Sequence, residues 1–158
     1  MSIMTATLTE HMWFLDTLVH VRIAHIEGQD GISILEHRAP HRDSPPLHIH
    51  KTEDEVFHVV EGKFRLRLGD DERIYGPGDI LVAPKGVPHT YRVESANGGR
   101  WLTITARGDF ERFVRAMGRT AARPELPPSS GKPTAEAQAA LVDRAREFGI
   151  EIVGPPLD

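Results

Sequence analysis

Two histidines one residue apart, a run of acids and a histidine set after a proline-glycine segment are the side chains here whose types and spacing suit metal chemistry. His48-Ile49-His50 follows Pro45-Pro46-Leu47, and the polar run Lys51-Thr52-Glu53-Asp54 leads into Glu55. In a strand successive side chains alternate faces, so His48 and His50 point the same way. Their anchor points lie about 6.6 Å apart, two residues of strand rise. Two imidazoles at that spacing can converge on one ion through metal–nitrogen bonds of about 2.0–2.1 Å. His89 follows Gly78, Pro84, Gly86 and Pro88, turn-makers that bracket the apolar run Ile80-Leu81-Val82-Ala83 and would deliver the imidazole at a fixed angle. The alternating pair alone reads equally well as a solvated sheet face, and the lone histidine means little by itself.

The elements that must position these groups are strands. Alternating apolar and polar residues mark 18–23, 32–37, 55–60, 64–68, 80–83, 90–93 and 101–105. Turn signals separate them at 27–31, Gly69-Asp70-Asp71-Glu72, Gly76-Pro77-Gly78-Asp79 and Asn97-Gly98-Gly99. Many short strands at this spacing predict an all-β sandwich or barrel. Beyond residue 107 the period changes. Phe110, Phe113, Val114 and Met117 share one helical face, with Asp109 as N-cap and Gly118 as stop. After a proline-rich connector over 119–133, a second helix runs from an N-cap at Thr134 to Gly149, with Ala137, Leu141, Ala145 and Phe148 as its apolar stripe. The reading is one domain over residues 1–158, with a barrel core at about 18–107 and a helical extension at about 109–149 packed outside it. Ile150 to Val153 fits a strand or an extended tail.

Composition narrows the function. The 158 residues carry a formal charge of −4, with 39% hydrophobic and 27% charged residues, and no cysteine. A mixed, slightly acidic surface argues against nucleic acid and against a polybasic membrane patch. Without cysteine there is neither disulfide nor thiolate zinc site nor thiol nucleophile. No segment reaches the roughly 18 apolar residues of a membrane helix, and Met1 to Met12 lacks the basic start of a signal peptide, so a cytoplasmic protein is expected. Of the nine histidines, His58 should face away from Glu55, and His11, His20, His25, His37 and His41 have no matched partners. Arg65 and Arg67 mark a solvated sheet face. Phe57 and Tyr91 share strand parity with Glu55 and His89, either lining a pocket or filling the barrel.

Together the two segments resemble the paired motifs of the cupin superfamily, G(X)5HXH(X)3,4E(X)6G and G(X)5PXG(X)2H(X)3N. The resemblance implies a jelly-roll β-barrel holding one divalent metal ion through His48, His50, Glu55 and His89. Its spacing selects Glu55 over Glu53 and Asp54 and places Gly62 as the trailing glycine. Arg42 replaces the opening glycine of the first motif, and Val93 replaces the closing asparagine of the second. Three imidazoles and a carboxylate suit Fe, Mn, Ni, Co, Cu or Zn and leave coordination positions open. Within the superfamily the chain is similar to small single-barrel proteins related to quercetin dioxygenases. That implies oxygenation of an enolic or phenolic small molecule, with Glu55 as the base. Non-redox cyclisation or isomerisation, and non-catalytic small-molecule binding, are the alternatives. The resemblance also implies a homodimer, with residues 13–26 covering a partner's sheet edge.

Overall fold

The computed structural model describes residues 10–26 and 29–158, so the turn expected at 27–31 falls partly outside the described residues, as does most of Met1 to Met12. Among the described residues twelve strands form two antiparallel sheets, accompanied by two helices. In chain order they are β1 (His11–Phe14), β2 (Thr17–Ile23), β3 (Ser33–Ala39), β4 (Leu47–His50), β5 (Glu55–Glu61), β6 (Phe64–Leu68) and β7 (Asp71–Tyr75). There follow β8 (Ile80–Ala83), β9 (His89–Val93), β10 (Gly99–Thr105), α1 (Asp109–Met117), β11 (Arg119–Thr120), α2 (Ala135–Glu147) and β12 (Ile150–Gly154). The larger sheet has the order β11-β1-β2-β3-β10-β5-β8, and the smaller β12-β4-β9-β6-β7.

Strand alternation builds the interior. Ser33, Leu35 and His37 of β3, Glu55, Phe57 and Val59 of β5, and Trp101, Thr103 and Thr105 of β10 are all buried, while their sequence neighbours are not. Two apolar clusters result. One joins Phe57, Val59 and Trp101 of the larger sheet to Phe64, Leu66 and Val93 of the smaller. The other gathers Met12, Phe14, Val19, Val21 and Leu35 under Phe113 and Val114 of α1, with Ala145 of α2 and Ile150 of β12. The helices thus lie at the C-terminal side of a jelly-roll barrel and seal it with their apolar faces. Among the described residues no helix is long and apolar enough to cross a membrane.

Several expectations change in detail. Asp109 is the first residue of α1 and not its cap; Gly108 holds the N-cap position at φ 71, without a side-chain cap. Thr134 does cap α2, accepting from the Ala137 N–H, but Ala137 itself is exposed because the first turns of α2 stand clear of the barrel. Asp71 and Glu72, expected in a turn, begin β7 and pair with Leu68 and Arg67. Ile150 to Val153 is a strand, pairing with β4. The stretch from Trp13 to Ile26 lies largely in β1 and β2 of the larger sheet, where β1 is flanked by β2 and β11 of the same chain.

Arg42 sits at φ 70, the left-handed region that glycine tolerates best. Its N–H donates to the Val93 carbonyl at 2.9 Å, and the Val93 N–H donates to the Asp43 carbonyl at 3.0 Å. The two motif departures are therefore neighbours, and backbone hydrogen bonds keep the local geometry whatever the side chains.

Candidate metal centre

The cluster is assembled from three strands. His48 and His50 lie on β4, Glu55 is the first residue of β5, and His89 is the first of β9. β4 and β9 pair with His48 directly opposite His89, and their ring centroids stand 4.5 Å apart. His50 lies 5.2 Å from His48 and 5.3 Å from His89 by the same measure. The turn that delivers His89 is fixed on both sides. Gly86 N–H donates to the His50 carbonyl at 2.8 Å, and Val87 N–H to the Pro84 carbonyl at 3.1 Å. Gly86, at φ 83, adopts the left-handed backbone this tight turn demands.

One ligand atom from each of His48, His50, Glu55 and His89 lies within 4.8 Å of the others. Donors bonded at about 2.0–2.2 Å on opposite sides of an ion stand about 4.0–4.4 Å apart, so a contraction of roughly half an ångström would complete a shell. His50, Glu55 and His89 are only 1–2% exposed, and His48 is half-buried at the rim.

The hydrogen bonds also prepare the set. His48 Nδ1 lies 2.8 Å from the Pro46 carbonyl, and His89 Nδ1 lies 3.0 Å from the Val87 carbonyl. A carbonyl only accepts, so each Nδ1 carries its proton and each Nε2 is turned to the cluster, as backbone carbonyls commonly orient metal-binding histidines. His50 has both ring nitrogens buried without a hydrogen-bond partner. Leaving such a group unpaired costs about 1–3 kcal/mol, and an electron-pair acceptor at the cluster centre would satisfy it. The donor chemistry, three imidazoles and a carboxylate, fits a divalent transition metal.

Electrostatics point the same way. Burial, then the neighbouring His89 and His50, push His48 down to about 3. Burial also lowers His50, against the pull of Glu55. Both are therefore neutral near pH 7, the form that ligates a metal. Burial alone would raise Glu55, but His50, the hydrogen bond and charge of His89, and His48 hold it down to about 2. Burial lowers His89 as well, yet its 2.9 Å hydrogen bond to Glu55 Oε2, the Glu55 charge and the Val87 carbonyl together outweigh this and leave it raised. Glu55 and His89 share a buried hydrogen bond, which a cation entering the cluster would have to replace.

All four predicted ligands are thus brought together, and His58 faces away as expected, half-buried on the outer side of β5. Phe57 and Tyr91 both point inward. With Val59, Phe64, Leu66 and Trp101 they fill one end of the barrel, leaving a void of only about 10 Å³. One neighbour escaped the sequence reading. His37, without a matched partner in sequence, is 3% exposed and stacks on Trp101 at 4.9 Å and 10° between planes. Its other face meets Phe110 of α1 at 5.9 Å, and Phe110 in turn lies 5.5 Å from His50. The available signal was parity, since His37 alternates with the inward Leu35.

Comparison with known proteins agrees with this architecture. Residues 34–105 match the family model of the cupin domain. Over 86 residues the chain is 33% identical to quercetin 2,3-dioxygenase of Bacillus subtilis (strain 168), covering 54% of this chain and 25% of that protein. The chain therefore spans about a quarter of that relative's length. Among solved structures, KdgF from Halomonas sp. aligns with a TM-score of 0.52 at 20% identity, over 58% of this chain and 79% of that one. An RmlC-like cupin from Shewanella frigidimarina aligns at 0.54 and 14% identity, over 68% and 92%. These two likenesses concern the fold alone.

Proposed function

The chain belongs to the cupin superfamily, and from that premise we propose that it binds one divalent metal ion and oxygenates an enolic or phenolic small molecule. The observation that carries the reading is the convergence of His48, His50, Glu55 and His89, with donor atoms within 4.8 Å, in a buried site whose imidazoles are already oriented. The likeness to a quercetin 2,3-dioxygenase supports the reaction class. A metal held there would polarise a coordinating enol or phenol oxygen and, if redox-active, pass an electron toward dioxygen.

The protein's own groups set the conditions. Solvent reaches the cluster at His48, the one half-buried member, while the Phe57–Trp101 end is packed shut. A substrate would therefore approach past His48 and not through the packed aromatic end. Glu55 is the base within reach, but at about 2 it is far too weak to take a phenol proton while His89 shares its charge. A bound metal would ease the transfer from the substrate side, by lowering the pKa of a coordinated enol or phenol hydroxyl.

The test is metal content by mass spectrometry on reconstituted protein, with a Glu55→Ala, His89→Ala variant as control. Oxygen consumption with catechol or another small enol or phenol follows. Near-stoichiometric metal lost in the variant, together with metal-dependent oxygen uptake, supports the reading. Retained zinc with product formed under nitrogen would shift it to non-redox cyclisation or isomerisation. Failure to hold any of iron, manganese, nickel, cobalt, copper or zinc would overturn it.

A further inference from the structure

His37 is a polar group inside the barrel that neither the fold nor the metal cluster uses. It alternates with the buried Leu35 and Ala39 on β3, so its ring points inward. Its Nε2 is buried and has no hydrogen-bond partner among the described residues. Buried polar atoms in folded proteins are nearly always paired, and one left over marks a place where a water or a ligand belongs. The ring is held in orientation, because it stacks on Trp101 at 4.9 Å and Trp101 Nε1 donates to Thr103 Oγ1 at 3.2 Å. Burial keeps the imidazole neutral near pH 7 in spite of the Glu55 charge nearby. A neutral imidazole can serve a hydroxyl or a carbonyl, by accepting or donating at Nε2 according to tautomer.

One ring lies between this unused imidazole and the cluster. The Phe110 centroid is 5.9 Å from that of His37 and 5.5 Å from that of His50. Phe57, Phe64 and Trp101 are only 2–5% exposed and sit on sheet strands. Phe110 differs: it reaches in from the first turn of α1 and is only half-buried. Its backbone is held apart from its ring, since the Phe110 N–H donates to Glu53 Oε1 at 2.7 Å. A change of rotamer at Phe110 therefore frees the volume of a six-membered ring without opening either sheet. We propose that Phe110 occupies the substrate's place and that His37 binds the substrate's second oxygen once that ring has turned away. The inference rests on the reading above, in which the first oxygen goes to the metal cluster. It narrows the substrate class to an enol or phenol with a second hydroxyl or carbonyl group, of the catechol kind. An analogue with a single oxygen would leave Nε2 unpaired in a buried site, and sites built for a polar partner discriminate strongly against such analogues.

Phenol and toluene, nearly equal in shape and different by one hydroxyl, probe the slot by calorimetric titration into chelator-treated protein. Phe110→Ala leaves an apolar cavity of the kind that takes up small aromatics, and it should bind both compounds about tenfold more tightly than wild type does. Adding His37→Phe should lower the ratio of phenol to toluene affinity by about tenfold, the value of one buried hydrogen bond. A change in the size of the slot acts on both compounds alike, so the ratio reads the bond and not the packing. A ratio that His37→Phe leaves unchanged would overturn the proposal. This assay needs no metal, so its result is separate from the fate of the proposed function. A second measurement keeps Phe110 in place. Wild type and His37→Phe, both loaded with redox-inert zinc, are titrated with 4-nitrocatechol and with 4-nitrophenol, which lacks the second hydroxyl. His37→Phe should weaken 4-nitrocatechol about tenfold and 4-nitrophenol less than about twofold. Equal weakening of the two, or none of either, would also overturn the proposal.

Discussion

Replacing His37 by phenylalanine should make the protein markedly less sensitive to acid. The imidazole is 3% exposed and sandwiched between Trp101 and Phe110, with Nε2 lacking any hydrogen-bond partner. Two effects compete when it is protonated. Stacking an imidazolium on aromatic faces gains about 0.5–2 kcal/mol, but stripping its water costs more. Burial wins, against the weaker pull of Glu55 and Glu36, and holds His37 at about 4 instead of 6.5. At about 1.4 kcal/mol per tenfold change in proton affinity, the full difference amounts to about 3 kcal/mol. The sign follows from which state binds the proton. Between pH 6.5 and about 4 the unfolded chain is protonated at this position and the folded chain is not, so stability is complete above 6.5 and falls as pH drops toward 4. Between pH 7.5 and pH 5 the loss from His37 alone is about 2 kcal/mol. Urea titrations of wild type and His37→Phe at those two pH values, with a chelator to keep metal out, isolate it. The packing cost of the larger ring is common to both pH values, and the acid response of His48 is common to both proteins, so each cancels. The wild-type advantage should therefore shrink, or its deficit grow, by about 2 kcal/mol on going to pH 5. A change below about 0.5 kcal/mol, the level of extrapolation error, would refute the claim that this imidazole is folded in its neutral form.

Three further outcomes follow from the geometry. In metal-free protein His89→Ala removes the 2.9 Å partner of buried Glu55 and leaves it only His50, at 3.3 Å, which should cost about 3 kcal/mol near pH 7 by urea unfolding. That cost should shrink as pH falls toward 2, because without the His89 bond burial raises Glu55 in the variant, which protonates first, while the wild type is held down to about 2. Arg42→Gly should relieve a left-handed backbone and raise stability by up to about 1 kcal/mol, net of the entropy that glycine adds to the unfolded chain; a loss of similar size in the same titration would contradict it. Burial, opposed by the 2.9 Å hydrogen bond from the Tyr91 hydroxyl, raises Asp43 to about 6. Tyr91→Phe removes that bond, so the Asp43 carboxyl should titrate higher still by carbon-detected NMR, with about 1–3 kcal/mol of stability lost at neutral pH.

How much of this was legible in the chain depended on whether the signal was local. The His48–His50 pair was, because strand alternation relates the two; Glu55 and His89 joined them only through the resemblance to the paired cupin motifs. The central strands were legible for the same reason, each carrying buried residues at every second position. β7 was not: all but one of Asp71–Tyr75 are exposed, so it shows no alternation and exists through backbone pairing with β6. His37 could not be placed, because its stack needs the β3–β10 register and a phenylalanine 73 positions downstream from it in sequence. Asp109 resembled a helix cap by residue type, yet its carboxylate accepts from the Thr52 hydroxyl and from Arg112 instead.

The three consecutive acids show why burial alone could not have chosen the metal-facing carboxylate. Glu53 and Glu55 are both 2% exposed. Glu53 Oε2 accepts from the Arg107 N–H at 3.1 Å and Oε1 from the Phe110 N–H at 2.7 Å, so it supplies the start of α1 with the acceptor that Gly108 lacks. Asp54 accepts from the Lys85 N–H at 2.8 Å and so grips the turn that delivers His89. Only Glu55 turns into the histidine cluster. Because β5 begins at Glu55, these neighbours tie the carboxylate to α1 on one side and to the His89 turn on the other. Phe110, anchored by Glu53, closes the circuit against His50. Helix α1 is therefore part of what positions the cluster, and a barrel cut at residue 107 would keep all four ligands while losing the contacts that hold two of them in place.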